Sequence, residues 1–174
     1  MVKVSICVPT YNNVSEVERL LQSVHRQNYT DYEVNISDDS TNEETAELIE
    51  RISTEWSWQD KLHYIHNEKP LGHIYNWNAA IKMAAGQYIK IMFSDDWFTD
   101  EDSLGSFVNM LDEHPEADLA FSGSMQVLLD GQDIEQVKHL NKQVTEHGNA
   151  YARYAEDAFI ERLHRNYKLF FLGN

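Results

Sequence analysis

YIKIMFSDDWF, residues Tyr88–Phe98, reads as a buried strand from Ile89 to Phe93 that gives way at once to Ser94, Asp95 and Asp96. Two adjacent carboxylates at the carboxyl end of an interior strand repel each other unless a cation joins them. Ligand crevices of open α/β sheets lie at such strand ends. A divalent cation with oxygen ligands is the simplest partner, and the phosphates of a substrate would complete its shell. The plainer alternative is that one aspartate caps the next helix while the other faces water. A second acidic pair, Asp38-Asp39, closes another strand and repeats the pattern. The repetition favours a site.

Upstream, Val2–Val8 (VKVSICV) is a short apolar run ending at Pro9-Thr10-Tyr11-Asn12-Asn13, a buried strand closed by a polar loop. Ser15 with Glu18 has the form of a capping box, and Val14, Val17, Leu20, Leu21 and Val24 repeat at helical spacing. Tyr32–Ser37 is the second strand. Thr41 with Glu44 offers another capping box, before a helix with Ala46, Ile49 and Ile52 on one face. Leu62–His66 is a third strand, and a loop at 67–72 leads into a helix with Ile74, Trp77, Ile81 and Ala84 inward. Gly86 stops that helix beyond its C-cap. Past the acidic pair, Thr99 caps a helix bearing Leu104, Phe107, Val108 and Leu111. Asp118–Leu129 reads as one long strand or two broken at Gly123, Tyr151–His164 as a helix, and Tyr167–Leu172 turns apolar again.

Strands alternating with helices give an α/β fold with a mostly parallel sheet. Right-handed crossovers put the ends of strands one, two and four at the same edge. The loops Pro9–Asn13, Asp38–Ser40 and Ser94–Trp97 therefore converge on one rim.

A chain of 174 residues, 42% apolar and 11% aromatic, makes one domain with a real core. The net charge of −15 argues against nucleic acid as a partner, and against a general attraction to anionic membrane. The lone Cys7 lies in an apolar run, has no intramolecular disulfide partner, and points to a reducing compartment. No stretch approaches the length of a membrane span and the N-terminus enters a strand directly. Those features point to a cytoplasmic chain, with peripheral attachment to the inner face of the membrane left open.

The rim lacks a GxGxxG turn, a Walker loop and a serine elbow. No histidines have zinc-ligand spacing on a shared face. What remains is an acidic rim with aromatic and amide side chains, suited to a metal bridging a diphosphate, with Asp39 and its neighbours accepting from a base or ribose. Trp97, beside the acidic pair, reads equally as a donor contact or as packing. Trp56 and Trp58 read as cover for the end of a helix. A receiver-type signalling domain also gathers carboxylates at strand ends, but it needs an acidic pair after strand one and a lysine after strand five. Here strand one ends in Pro-Thr-Tyr-Asn and no lysine follows Ser122 closely.

Four blocks carry a further likeness: Val8-Pro9-Thr10-Tyr11-Asn12; Ile36-Ser37-Asp38-Asp39-Ser40-Thr41; Asn67 through Leu71-Gly72 to Asn76 and Asn78; and Gly86-Gln87-Tyr88-Ile89 leading to Ser94-Asp95-Asp96-Trp97. In order and spacing the chain resembles the inverting family 2 glycosyltransferases of GT-A fold, a Rossmann-like three-layer α/β/α sandwich. The likeness covers about residues 2–129. It implies a nucleotide-sugar donor, often UDP-linked, with Mn²⁺ or Mg²⁺, and a glycan or lipid-linked acceptor in cell-envelope polysaccharide biosynthesis. It further implies that Pro9, Thr10, Tyr11, Asn12, Asp38, Asp39, Gly72, Asn76, Asn78, Ser94 and Asp95 line the donor site. Asp39 would accept from the base, and Asp95 with Asp96 would hold the metal.

Two positions depart from the pattern: Phe93 stands where the family's first metal-motif carboxylate falls, and no glycine follows Asp38-Asp39. Residues 1–174 are then expected to be the donor-binding GT-A domain of a longer enzyme, with the acceptor-binding part and the catalytic base beyond Asn174. Asp157, next to Glu156, is a weaker candidate for the base. A module that binds nucleotide-sugar without transferring it is the alternative. The apolar end at Tyr167–Leu172 also predicts self-association into a homo-oligomer or marginal stability.

Overall fold

Every residue of Val4–Thr10 is buried, as a strand apolar on both faces must be when it lies between two layers. This strand, β1, is central in a computed structural model that describes residues 1–122 and 168–172. Around it stand β2 (Tyr32–Asp38), β3 (Leu62–His66), β4 (Tyr88–Ile91), β5 (Leu119–Ser122) and β6 (Lys168–Leu172), in the order β3-β2-β1-β4-β6-β5. All the strand pairings in this sheet are parallel.

Helices α1 (Val14–His25), α2 (Glu44–Glu55) and α4 (Ser103–Glu113) pack on one face. Val17, Leu20, Leu21, Ile49, Ile52, Leu104, Phe107 and Leu111 meet Val4, Ile6, Val34, Ile36 and Tyr88 there. Helix α3 (His73–Lys82) covers the other face, where Ala80 meets Cys7, Ile89 and Ile91. These are the three α/β/α layers that the resemblance led us to expect.

Pro9 falls inside β1 rather than after it, paired with Ser37. The β4 pairing ends at Cys7–Ile91, and strand alternation turns the nitrogen of Pro9 to the β4 side beyond that point. No ladder bond is lost. Gly86 lies past the cap of α3, which is Met83. Its role is close approach: a Cβ there would stand 2.6 Å from the backbone nitrogen of Ser5.

The expected capping boxes do not form. Asn13, Glu43 and Asp102 stand at the N-caps of α1, α2 and α4, none with a side-chain cap bond. Ser15 lies inside α1, and Glu18 pairs with Arg51 of α2 at 2.8 Å instead. Thr41 is engaged by Asn12 across the rim. Thr99 lies outside α4 and donates to Asp100.

The phase of α3 also differs at one position, because Ile74 is 64% exposed and Asn76 takes the inward place. Trp58 is buried and Trp56 packs against the same core, so both cover the end of α2. The expected strand beyond Ser122, the helix at Tyr151–His164 and the pair Glu156-Asp157 lie outside the described residues.

Candidate functional site

Parallel strands deliver their carboxyl ends to one edge, and there a cavity of about 430 Å³ opens. Strand β1 contributes Pro9 and Thr10, the residue after it Tyr11, and the residue after β2 Asp39. The loop before α3 and that helix supply Pro70, Gly72, His73, Asn76 and Trp77. Phe93, Ser94 and Asp95 close it from the end of β4. The size suits a nucleotide-scale ligand.

The far wall is built on Asp39, which is 3% exposed. Its carboxylate accepts from the side-chain amide of Asn67 at 2.8 Å and from the backbone N–H of Gly72 at 2.9 Å. Gly72 has φ 81°, a conformation only glycine adopts freely, and it opens α3 toward the cavity. Asn76 is buried and donates to the carbonyl of Thr10 at 3.0 Å, which pins α3 to β1. The hydroxyl of Thr10 itself is buried without a hydrogen-bond partner.

The acidic turn separates its two aspartates. The N–H of Asp96 donates to the carbonyl of Phe93 at 2.9 Å, which makes Ser94 and Asp95 the centre of a tight turn. Asp95 is exposed and lines the cavity, while Asp96 is half-buried and does not. Burial, with the neighbouring charge of Asp95, raises the carboxyl of Asp96 above its ordinary range, and Lys90 opposes that rise. Burial pushes the ammonium of Lys90 down to about 7, against the pull of Asp96.

Other expected site residues hold the rim from behind. Asp38 is fully buried, accepts from the backbone of Ser40 at 2.8 Å and from the phenol of Tyr64 at 2.8 Å. Asn12, at φ 47°, takes the N–H of Thr41 on its side chain and gives its own N–H to Ser40, which clips the β1 loop to the β2 loop. Asn78 donates back to Ile74 within α3. None of these three lines the cavity. Trp97 is likewise outside it, covered by the guanidinium of Arg19 at 5.0 Å from the ring centroid. Burial raises the thiol of Cys7, which is inert in the core.

Sequence reasoning missed Asn67 as the tie to Asp39, Trp77 and Phe93 as a ring pair on the wall at 4.8 Å, and the burial of Lys90. A lysine inside an apolar strand was the available signal for the last.

This constellation matches a known pattern. The family model described as Glycosyl transferase family 2 matches residues 5–166. The chain belongs to glycosyl transferase family 2. Among family relatives, abequosyltransferase RfbV of Salmonella typhimurium is 33% identical over 111 residues, 63% of this chain and 32% of that protein. A GalNAc(5)-diNAcBac-PP-undecaprenol beta-1,3-glucosyltransferase of Campylobacter jejuni is 27% identical over 55% of this chain and 30% of its own length. The structure of S. aureus TarS 1-349 in complex with UDP-GlcNAc superposes with a TM-score of 0.63 at 27% identity, covering 76% of this chain and 36% of that one. The chain spans about a third or less of the length of the curated relatives it matches.

Proposed function

We propose that this family 2 chain is the donor-binding domain of an inverting, metal-dependent glycosyltransferase that moves a sugar from a nucleotide-diphospho-sugar to a glycan or lipid-linked acceptor. The observation that carries this reading is the cavity at the ends of β1, β2 and β4, where Thr10, Tyr11, Asp39 and the exposed Asp95 line one space. Thr10 and Tyr11 would hold the nucleotide. The Asp39 carboxylate has lone pairs left beside its bonds to Asn67 and Gly72, and would accept from the base. UDP is the favoured nucleotide, since the TarS likeness includes complexes with UDP and UDP-GlcNAc.

Among the described residues no cluster of three His, Cys, Asp or Glu could form a metal cage. Of the two carboxylates that line the cavity, Asp39 is tied into the wall, and Asp95 fits Mg²⁺ or Mn²⁺ held mainly by substrate phosphates. Asp95 would hold it, with Asp96 adjacent. When bound, the ion would offset charge developing on the leaving nucleotide. Inversion also needs a carboxylate base for the acceptor hydroxyl. We place that base outside the described residues, because Asp39 is tied into the wall and Asp95 is assigned to the metal.

The test is thermal unfolding of the chain with UDP, GDP and UDP-sugars, each with Mn²⁺, Mg²⁺ and EDTA. A rise in Tm with one nucleotide and metal, lost in EDTA, is the expected result. No rise with any of them would overturn the donor site. Phe93 at the first metal-motif position favours a second reading, binding without transfer. Release of free UDP from a UDP-sugar in the presence of acceptor would rule that out.

A further inference from the structure

The smaller core, on the α3 face of the sheet, comes to the surface in the cavity. Phe93 packs against the cluster of Cys7, Ala80, Ile89 and Ile91 and is left half-buried past the end of β4. Trp77, half-buried on α3, meets it with ring centroids 4.8 Å apart and planes tilted by 48°. Both rings line the cavity, and the turn after β4 adds Ser94 and Asp95 beside them. Asp39 lies past the end of β2 and Asp95 past the end of β4, with β1 between these strands. Two strand spacings, about 10 Å, separate β2 from β4. A nucleotide laid with its base at Asp39 and its diphosphate at Asp95 crosses that span. The sugar on the outer phosphate then falls at the β4 end, beside the two rings.

We propose that Phe93 and Trp77 are specificity-determining residues that select a 6-deoxy sugar on the donor. The proposal rests on reading the cavity as a donor site. A hydroxyl turned onto these rings gives up its water and gains no comparable partner from a ring face. A methyl group in the same place buries apolar surface against both rings. Of the positions on a hexose, C6 is the one where loss of the hydroxyl creates a methyl. An apolar pocket rejects a single added hydroxyl by up to about a hundredfold, and a half-open wall does so by about tenfold.

Calorimetric titration in Mn²⁺ tests this on matched donors: UDP-GlcNAc, UDP-glucose and UDP-galactose, each against its 6-deoxy analogue, with UDP alone as the reference. In the pair that binds most tightly, the 6-deoxy form should bind about tenfold tighter than the hydroxylated one. Phe93→Leu keeps the wall apolar and should keep that preference. Phe93→Ser offers the C6 hydroxyl a partner and should bring the two sugars within about threefold of each other. Equal affinity in every pair, or a preference for the hydroxylated sugars, in a parent that binds UDP would overturn the proposal and leave the donor site standing. So would a preference that survives Phe93→Ser unchanged. The comparison in the parent needs no variant, so it decides the matter should Phe93→Ser not fold. A parent that binds neither UDP nor any UDP-sugar would defeat the donor reading, and the sugar preference with it.

Discussion

The backbone N–H of Gly72 donates to the carboxylate of Asp39 across 2.9 Å, joining the loop before α3 to the end of β2. The same carboxylate takes Asn67 at 2.8 Å, so one buried side chain sets the position of an entire cavity wall. Each of its two oxygens accepts one protein donor and keeps a further acceptor site. A ligand that reached it would meet a carboxylate whose direction is already fixed, which reduces the ordering that binding must supply.

Asp39→Ala should therefore harm both stability and binding. It removes the acceptor of the Gly72 N–H and the shortest bond of the Asn67 amide, which keeps Ser37 and Asn76, in a partly buried setting, at a cost of about 1–3 kcal/mol. UDP affinity should fall at least tenfold as residues 67–72 lose their anchor. Urea unfolding and calorimetric titration read the two effects. Loss of binding with full stability would mean that Asp39 touches the ligand but does not build the wall.

Gly86→Ala should destabilise the chain through close contact rather than through backbone strain. Its Cβ would meet the nitrogen and hydroxyl of Ser5 at 2.6 and 2.7 Å. The backbone partner cannot move without disturbing β1, so the overpacking should cost about 1–3 kcal/mol. A lowered Tm checks it. An unchanged Tm would show that the turn before β4 can shift away from β1.

The strands of this site were legible and the helix starts were not, for one physical reason. Strands buried on both faces write long apolar runs, and the switch from Phe93 to Ser94-Asp95-Asp96 marks where β4 leaves the core. Helix caps depend on which polar group is free at the end of a loop. Here Asn12, Ser40 and Thr41 are used on each other across the rim, so Thr41 cannot cap α2. The tie between Asn67 and Asp39 was hidden for a related cause. Asn67 reaches Asp39 across a separation of 28 residues, and no local pattern encodes that contact.

Glu33 predicts an acid limb in stability. Burial opposes its charge, but donation from Ser5 at 2.6 Å, from the Ala85 N–H at 2.7 Å and from Asn35 at 3.0 Å outweighs burial and lowers its pKa. A carboxyl depressed in the folded state adds stability that is fully present above its unfolded value, about 4.3, and is lost as pH falls through the folded one. Stability should therefore be level from neutral pH to about 5 as far as Glu33 is concerned, then decline. Glu33→Gln should be less stable at neutral pH and flatter in acid. Urea midpoints taken across the range measure both slopes, and parallel slopes would remove Glu33 from the account.

Asp95→Asn should separate binding from folding. The side chain is exposed and carries no hydrogen bond to the rest of the fold among the described residues, so stability should change by less than about 0.5 kcal/mol. The part of UDP affinity that depends on Mn²⁺ should vanish, leaving the titrations with metal and with EDTA alike. A variant that still responds to Mn²⁺ as the parent does would move the metal off Asp95.

Phe93→Asp asks what the departure at the first metal-motif position does. Phe93 is half-buried on the cavity wall with its ring 4.8 Å from that of Trp77, and Asp95 lines the same space two residues on. A carboxylate there would add a second oxygen donor for a divalent ion, and Mn²⁺-dependent UDP binding should tighten about tenfold, as expected when ligand charge rises. The lost ring contact and the like charge beside Asp95 should lower stability by about 1–3 kcal/mol in the absence of metal. Added Mn²⁺ should restore part of that loss, because binding to the native state raises its stability. Unfolding with and without metal, together with calorimetry, reads all three effects. Metal affinity unchanged from the parent would mean that position 93 serves the wall through its packing on Trp77 and does not face the ion.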